Sequence, residues 1–520
     1  MPTTRGFRTI PALLARAAAE HGDRPWLVTD DGTRSFADAA AVVGAVGHRL
    51  RDLGVVRGDI VALTARNDPD HLLAILGVTA TGGIAVPLDP RSTDAELRGL
   101  LGQLAAGGRL RAMVTDAGLR DTVHRAWDGP GPPPWLADVA ELVAGPHPHG
   151  AVEVPVEQDD VAVMIPTSGT TGRSKLVMQT HCAHVMSGEG FPAWLGLGRD
   201  DRLMTALPLF HTNALAYSTM GSLACGAGLV LLPRFSASGF LDVARRHGAT
   251  TFNAVGAMLE MLEARPARAD DAGTPLRVAY SAPSPPAERH RAFEERFGLR
   301  LVCGYGMSES VYGLIWRPGT RPFGTLGCLR QHPELGVVNH ARVVADDRAE
   351  VPPGAPGALL LRHPTVTPGY FGLPEETAEA LRDGWLHTGD LVTTDGVGTY
   401  TFVARKKEVI RRRGENLAPA EVADAVRAHP DVADCVVIGV PAGMAEEEVK
   451  AYVVLAPRAR ATATDLQRTA AQLLAPYKVP RFWQFVEEFP RTPTGRVVVR
   501  ALPGPEHGEI DLARPRGATG

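Results

Sequence analysis

Met164-Ile165-Pro166-Thr167-Ser168-Gly169-Thr170-Thr171-Gly172-Arg173-Ser174-Lys175 is the stretch on which the reading of this chain turns. The apolar residues from Val161 to Ile165 run into a Ser/Thr/Gly loop that a lysine closes. Glycines let the backbone approach an anion, hydroxyls donate hydrogen bonds, and lysine adds a point charge. The GxxxxGK[ST] spacing of a Walker loop is absent. The stretch therefore reads as a buried strand ending in an anion-binding loop of another kind.

The flanks fit an α/β chain. Helical spacing predicts helices from Ile10 to Ala19, Phe36 to Leu53 and Leu72 to Thr81. Short apolar runs predict strands at Ile60–Leu63, Ile84–Leu88, Val161–Ile165, Leu229–Leu232 and Arg277–Tyr280. Strands interleaved with helices argue for doubly wound parallel sheets. Beyond Arg405 the pattern starts afresh. It predicts helices from Pro419 to Ala428 and Ala463 to Leu474, and strands at Cys435–Val440 and Ala451–Leu455. The expected organisation is a large N-terminal domain, residues 1–405, and a small mobile α/β lid, residues 406–520. The Gly/Pro/charge-rich tail from Pro503 is expected to fray.

Composition narrows the function classes. A net charge of −4 excludes a strongly basic, nucleic-acid-coating protein. The 56 glycines and 42 prolines in 520 residues exceed the usual shares of about 7% and 5% and imply many loops. The five cysteines, Cys182, Cys225, Cys303, Cys328 and Cys435, are scattered and form no CxxC pair. No apolar run reaches the ~20 residues that span a bilayer, and the start lacks a signal-peptide core. A cytoplasmic enzyme with no nucleic-acid or membrane partner is expected.

Further motifs keep a fixed order along the chain. Leu207-Pro208-Leu209-Phe210-His211-Thr212-Asn213 precedes Tyr280-Ser281-Ala282-Pro283 and Gly304-Tyr305-Gly306-Met307-Ser308-Glu309-Ser310. Then come Leu386-His387-Thr388-Gly389-Asp390, Ala404-Arg405-Lys406-Lys407-Glu408, Gly414 to Glu421, Pro476-Tyr477-Lys478-Val479-Pro480 and Pro493-Thr494-Gly495-Arg496. With Thr167–Lys175, this series resembles the signatures of the adenylate-forming superfamily, which contains acyl-CoA synthetases, luciferases and nonribosomal-peptide adenylation domains. Arg411-Arg412-Arg413 before Gly414-Glu415-Asn416 resembles the variant in crotonobetaine/carnitine-CoA ligase-like members. The resemblance covers residues 10 to 500.

The resemblance implies an acyl-CoA ligase using ATP or acyl-AMP, CoA and Mg2+, with a small carboxylic acid as substrate. Residues 1–405 would bind the acyl-adenylate, and the lid would rotate about Lys407 between half-reactions. Thr167, Ser168, Gly169, Thr170, Thr171, Gly172 and Lys175 would cradle phosphate. Ser281, Ala282 and Pro283 would form the adenine wall, with Tyr280-Ser281 where Gly-Gly is common. Tyr305 would stack on adenine, beside Gly306 and Ser308. Glu309 would be the magnesium carboxylate, a hard oxygen ligand suited to that ion. Asp390 would accept from the ribose hydroxyls and Arg405 would help hold ribose or phosphate. His211 would border the acyl and pantetheine channels. Its position carries no aspartate, which favours an acid without an α-amine. Gly414 would line the pantetheine tunnel.

One departure bears on mechanism. The family usually places a lysine after Pro-Thr-Gly, and here it is Arg496. Guanidinium is a planar fork and ammonium a compact donor, so the exchange is not conservative at a positioned site. It implies weak or absent adenylation with thioester formation retained, and then a separate enzyme must supply the adenylate. The competing readings are a complete ligase in which Arg496 or Lys478 substitutes, a carrier-protein-loading adenylation enzyme, and a non-catalytic acyl-AMP-binding protein. Gly221, Ala224, Gly226 and Gly228 would either leave room for a bulky acid or serve packing.

Overall fold

The runs Ile60–Thr64, Ile84–Pro87 and Gly228–Leu231 are apolar or nearly so along their whole length, the mark of strands covered on both faces. In the computed structural model they lie inside two largely parallel sheets. The structure describes residues 8–129, 134–145, 150, 154–167, 174–282, 284–346, 348–406, 408–412, 415–441, 447–474, 476–492, 495 and 497–512.

Two compact units emerge, residues 1–341 with 360–387, and residues 342–359 with 388–520. The first holds a nine-stranded sheet and a six-stranded sheet. In the nine-stranded sheet, Arg300–Met307, Val278–Ala282, Thr251–Val255, Arg202–Thr205, Gly228–Leu231 and Pro25–Thr29 run parallel in that spatial order. In the six-stranded sheet, Ile60–Thr64 sits between Leu110–Thr115 and Ile84–Pro87, all parallel. Val161–Thr167 pairs parallel with Ile84–Pro87 and antiparallel with Lys175–Thr180. This is the expected α/β architecture. Helix Phe36–Asp52 begins with a reciprocal cap between Ser35 and Asp38, and Pro69–Ala80 begins at Asp68 and proline, so local chemistry fixes both starts.

The second unit has its own core, in which helices Pro419–Arg427 and Ala463–Leu473 cover a four-stranded sheet built on Val432–Pro441 and Glu447–Leu455. The expectation of a fraying tail fails for residues 503–512. Ile510–Asp511 pairs with Phe482–Phe485, Tyr452 Oη donates to Pro503 O at 2.9 Å, and Gln484 Nε2 donates to Gly504 O at 3.0 Å. The reason is a buried charge: Lys450 is 1% exposed and needs Glu509, whose carboxylate lies 2.6 Å from its Nζ.

The small residues also resolve. A side chain at Gly221 would press on Phe191, one at Gly226 on His21, and one at Gly228 on Arg202. Ala224 packs against the main core. These positions serve packing, and the bulky-acid reading loses its basis. Among the described residues, no helix is long and apolar enough to cross a membrane.

Candidate active site

The phosphate-loop candidate is held at its base. Thr167 stands opposite Lys175 where the two antiparallel strands meet, and Thr167 Oγ1 donates to Lys175 O at 3.3 Å. Ser168, Gly169, Thr170, Thr171 and Gly172 lie outside the described residues. So do Pro283, Lys407, Gly414 and Arg496.

The strand Arg300–Met307 leads into Ser308 and Glu309, and the chain returns as Ser310–Ile315. The turn is pinned from behind. Gln179 Nε2 donates to Ser308 O at 2.8 Å, and Thr367 N donates to Glu309 O at 2.9 Å. Glu309 Oε1 accepts from Tyr370 Oη at 2.8 Å. The Tyr370 ring lies 4.6 Å from Lys175 Nζ, a cation–π contact. One tyrosine thus joins the loop lysine to the candidate magnesium carboxylate.

Glu309 forms no ion pair with a lysine or arginine among the described residues, and one carboxylate oxygen is already oriented. That suits a hard divalent cation. No cluster of three or more His, Cys, Asp or Glu ligands occurs among the described residues. A magnesium ion held by one carboxylate together with substrate phosphates needs no such cluster.

Tyr305 is almost buried and Gly306 is exposed beside it. Tyr217 Oη donates to Val311 O at 2.7 Å and sits 2.9 Å from where a side chain at Gly306 would begin. Ser281 is fully buried, and its Oγ has no partner among the described residues; Ala282 follows it on the strand. His211 is half-buried, but its Nε2 is shut off from solvent and has no partner among the described residues. Desolvation lowers its pKa to about 4, so the ring is neutral at pH 7. Asn67 fixes the segment before it, accepting from Leu209 N at 2.8 Å while donating to Leu207 O at 3.3 Å. His181 and His184 are core residues of helix His181–Leu195 and join no group of three or more possible metal ligands among the described residues.

In the second unit Asp390 and Arg405 are cross-strand partners, with Arg405 Nε 3.0 Å from Asp390 Oδ1. Asp390 is 1% exposed, and Thr388 Oγ1 accepts from its backbone N–H at 3.2 Å. Lys478 Nζ lies 2.6 and 2.8 Å from the two carboxylate oxygens of Glu421.

Tyr370, Gln179, Tyr217 and Arg330 escaped the sequence reading. The Pro368-Gly369-Tyr370 run was the available signal for Tyr370. Gly369 has φ +138, and a side chain there would strike Thr377, whose Oγ1 accepts from Tyr370 N at 2.9 Å.

The AMP-binding enzyme family model matches residues 14–371, and the AMP-binding enzyme C-terminal domain matches residues 421–496. The chain belongs to the AMP-binding enzyme family. Within it, the relatives place this AMP-binding enzyme in the adenylate-forming acid–CoA ligase branch. It is 33% identical to sulfoacetate–CoA ligase of Cupriavidus necator, over 94% of this chain and 96% of that one. It is 30% identical to crotonobetaine/carnitine–CoA ligase of Salmonella arizonae, over 90% and 92%. ATP-bound MatB from Rhodopseudomonas palustris superposes with a TM-score of 0.85 at 26% identity, covering 95% of this chain and 98% of that one. The o-succinylbenzoate CoA synthetase of Bacillus subtilis with its acyl-adenylate gives 0.82 at 26%, covering 96% and 99%.

Proposed function

We propose that this acid–CoA ligase carries out thioester formation well and adenylation poorly. Adenylation is attack of a carboxylate oxygen on the α-phosphorus of ATP, with pyrophosphate leaving. Thioester formation is attack of the CoA sulfur on the acyl carbonyl, with AMP leaving and the thiol proton passing to solvent.

The observation that carries the reading is Arg496, where the family places its adenylation lysine. Loss of one positioned donor at a developing charge costs on the order of 10²–10³ in rate. The nearest lysine in sequence, Lys478, pairs with Glu421 within the second unit. The groups expected to serve the second step are kept: Asp390, Arg405 and Gly414, with Lys407 as hinge.

In the first unit, Lys175 and the Ser/Thr/Gly loop would hold phosphate, Tyr305 and the Ser281–Pro283 wall would hold adenine, and His211 would border the acyl path as a neutral ring. Glu309, oriented by Tyr370, would hold magnesium, whose chemistry is neutralisation of phosphate charge. In the second unit, Asp390 would accept from ribose. Sulfoacetate and crotonobetaine, the acids named for the relatives, are short, and we take the acid here to be short too.

Two assays on one preparation test this. Pyrophosphate exchange with acid, ATP and magnesium should be slow or absent. Synthetic acyl-AMP with CoA should give thioester readily. Fast exchange would leave a complete ligase. Failure of both steps, with acyl-AMP still bound, would leave a binding protein.

A further inference from the structure

Arg330 is fully buried in the first unit. Its Nε donates to Leu314 O at 3.1 Å, and its Nη2 donates to Tyr280 Oη. Its guanidinium carbon lies 4.8 Å from the ring centre of Tyr217, 5.0 Å from Trp194 and 5.3 Å from Tyr280. No Asp or Glu among the described residues pairs with it, and its Nη1 has no partner there either. Tyr312 Oη, on a ring packed edge-on against Trp194, is also buried and without a partner among the described residues.

A buried cation without a counter-charge is unfavourable, and removing one partner of a buried pair leaves the same defect. Aromatic faces offset part of the cost, but they do not accept the in-plane N–H groups of Nη1. Tyr280 cannot be the counter-ion, because burial pushes its phenol well above the usual range and keeps it neutral. His363, close enough to feel the Arg330 charge, is neutral as well. What is missing is an anion with oxygens to accept from Nη1.

The place of Arg330 says where that anion would come from. Gly304 opens the segment that carries Tyr305 and Glu309. A side chain at Gly304 would begin 2.9 Å from Arg330 Nη2 and 2.8 Å from Tyr280 Oη. The guanidinium therefore lies directly behind the candidate nucleotide segment, one residue from the tyrosine assigned to adenine. The rings of Tyr217, Tyr280 and Trp194 surround it.

We propose that Arg330 receives a second anionic group on the acyl substrate, so that the enzyme selects short acids bearing a carboxylate or sulfonate at the end away from the reacting carboxylate. This rests on the acid–CoA ligase reading. It predicts rejection of acids with a cationic tail, because a buried positive charge would face another. Two N–H groups aimed at one anion also discriminate against an isosteric amide, which presents one oxygen and a competing donor.

The test compares succinate and 3-sulfopropanoate with succinamate and 4-aminobutanoate on the full-length protein. Binding is read as thermal shift in the presence of AMP, and turnover as thioester formation from the matching synthetic adenylates and CoA. The anionic-tailed compounds should be favoured about 10- to 150-fold over succinamate, the range of a charged hydrogen bond, and 4-aminobutanoate should be the poorest. Arg330→Met should reduce that preference to within about threefold, and Arg330→Lys should keep part of it. If the wild type shows no preference for an anionic tail, the proposal is overturned whether or not the variants fold. If anionic acids shift the melting point selectively while no adenylate yields thioester, Arg330 stands as receptor and the ligase reading fails instead.

Discussion

Tyr370 Oη donates to Glu309 Oε1 at 2.8 Å across sixty-one positions of sequence. The same ring faces Lys175 Nζ at 4.6 Å. A carboxylate assigned to magnesium and an ammonium assigned to phosphate thus share one support. Their mutual placement is set by the fold before any ligand binds.

Tyr370→Phe separates the two contacts, because the ring stays and the hydroxyl goes. A hydrogen bond to a charged group contributes about 1.5–3 kcal/mol, and a part-buried one lies at the low end. Magnesium-dependent ATP binding should weaken about tenfold by calorimetry. Tyr370→Ala should weaken it further, since Lys175 also loses its contact. Identical magnesium dependence in wild type and Tyr370→Phe would remove Tyr370 from this role.

Asp390→Ala should weaken acyl-AMP binding about 10- to 100-fold by calorimetry, because the proposed acceptor for two ribose hydroxyls is lost. Arg405 also loses the carboxylate 3.0 Å from its Nε. Asp390→Asn, which keeps the shape and removes the charge, should fall between. Unchanged affinity in both variants would place ribose elsewhere.

Burial makes stability sensitive to acid. His71 and His181 are held at about 4, and His184 and His363 at about 3, all by desolvation from an ordinary 6.5. Below pH 6.5 the unfolded chain takes up protons that the folded chain refuses, so stability falls as pH drops from about 6.5 toward each folded value. Each histidine contributes a slope of about 1.4 kcal/mol per pH unit in that window. His184 has no hydrogen-bond partner on either ring nitrogen among the described residues. Denaturant melts should therefore show His184→Phe losing less stability than wild type between pH 7 and pH 5. A parallel loss in both proteins would show that His184 does not contribute to the acid slope.

Gly414→Leu should abolish thioester formation from acyl-AMP and CoA while acyl-AMP binding stays near wild type, because the resemblance puts this glycine on the thiol path. Wild-type turnover in the variant would move the tunnel elsewhere.

What could be read in advance follows the range of the interactions. Helix Phe36–Asp52 and strand Ile60–Thr64 are written locally, in a capping box and an all-apolar run. The motifs around Lys175, Glu309 and Asp390 are likewise contiguous. Tyr370 acts on Glu309, Gln179 on Ser308 and Arg330 on Tyr280 through separations of 61, 129 and 50 residues, and no periodicity encodes those meetings. The tail misled because Gly, Pro and charge describe a segment free in solution. Glu509 is instead the counter-ion of a lysine 59 residues earlier. Gly226 misled because its glycine meets a left-handed backbone, φ +70 at a helix end, and provides no space for a ligand.

One single-turnover comparison tests the inequality of the two half-reactions. Excess protein is mixed with acid, ATP, magnesium and CoA in one syringe experiment, and with the matching synthetic acyl-AMP and CoA in another, and thioester is quantified over time. Thioester from acyl-AMP should form at least about 100-fold faster than from acid and ATP, the rate loss expected when a positioned donor is replaced. Equal rates from the two starting points would contradict it and show that Arg496 serves adenylation as well as a lysine.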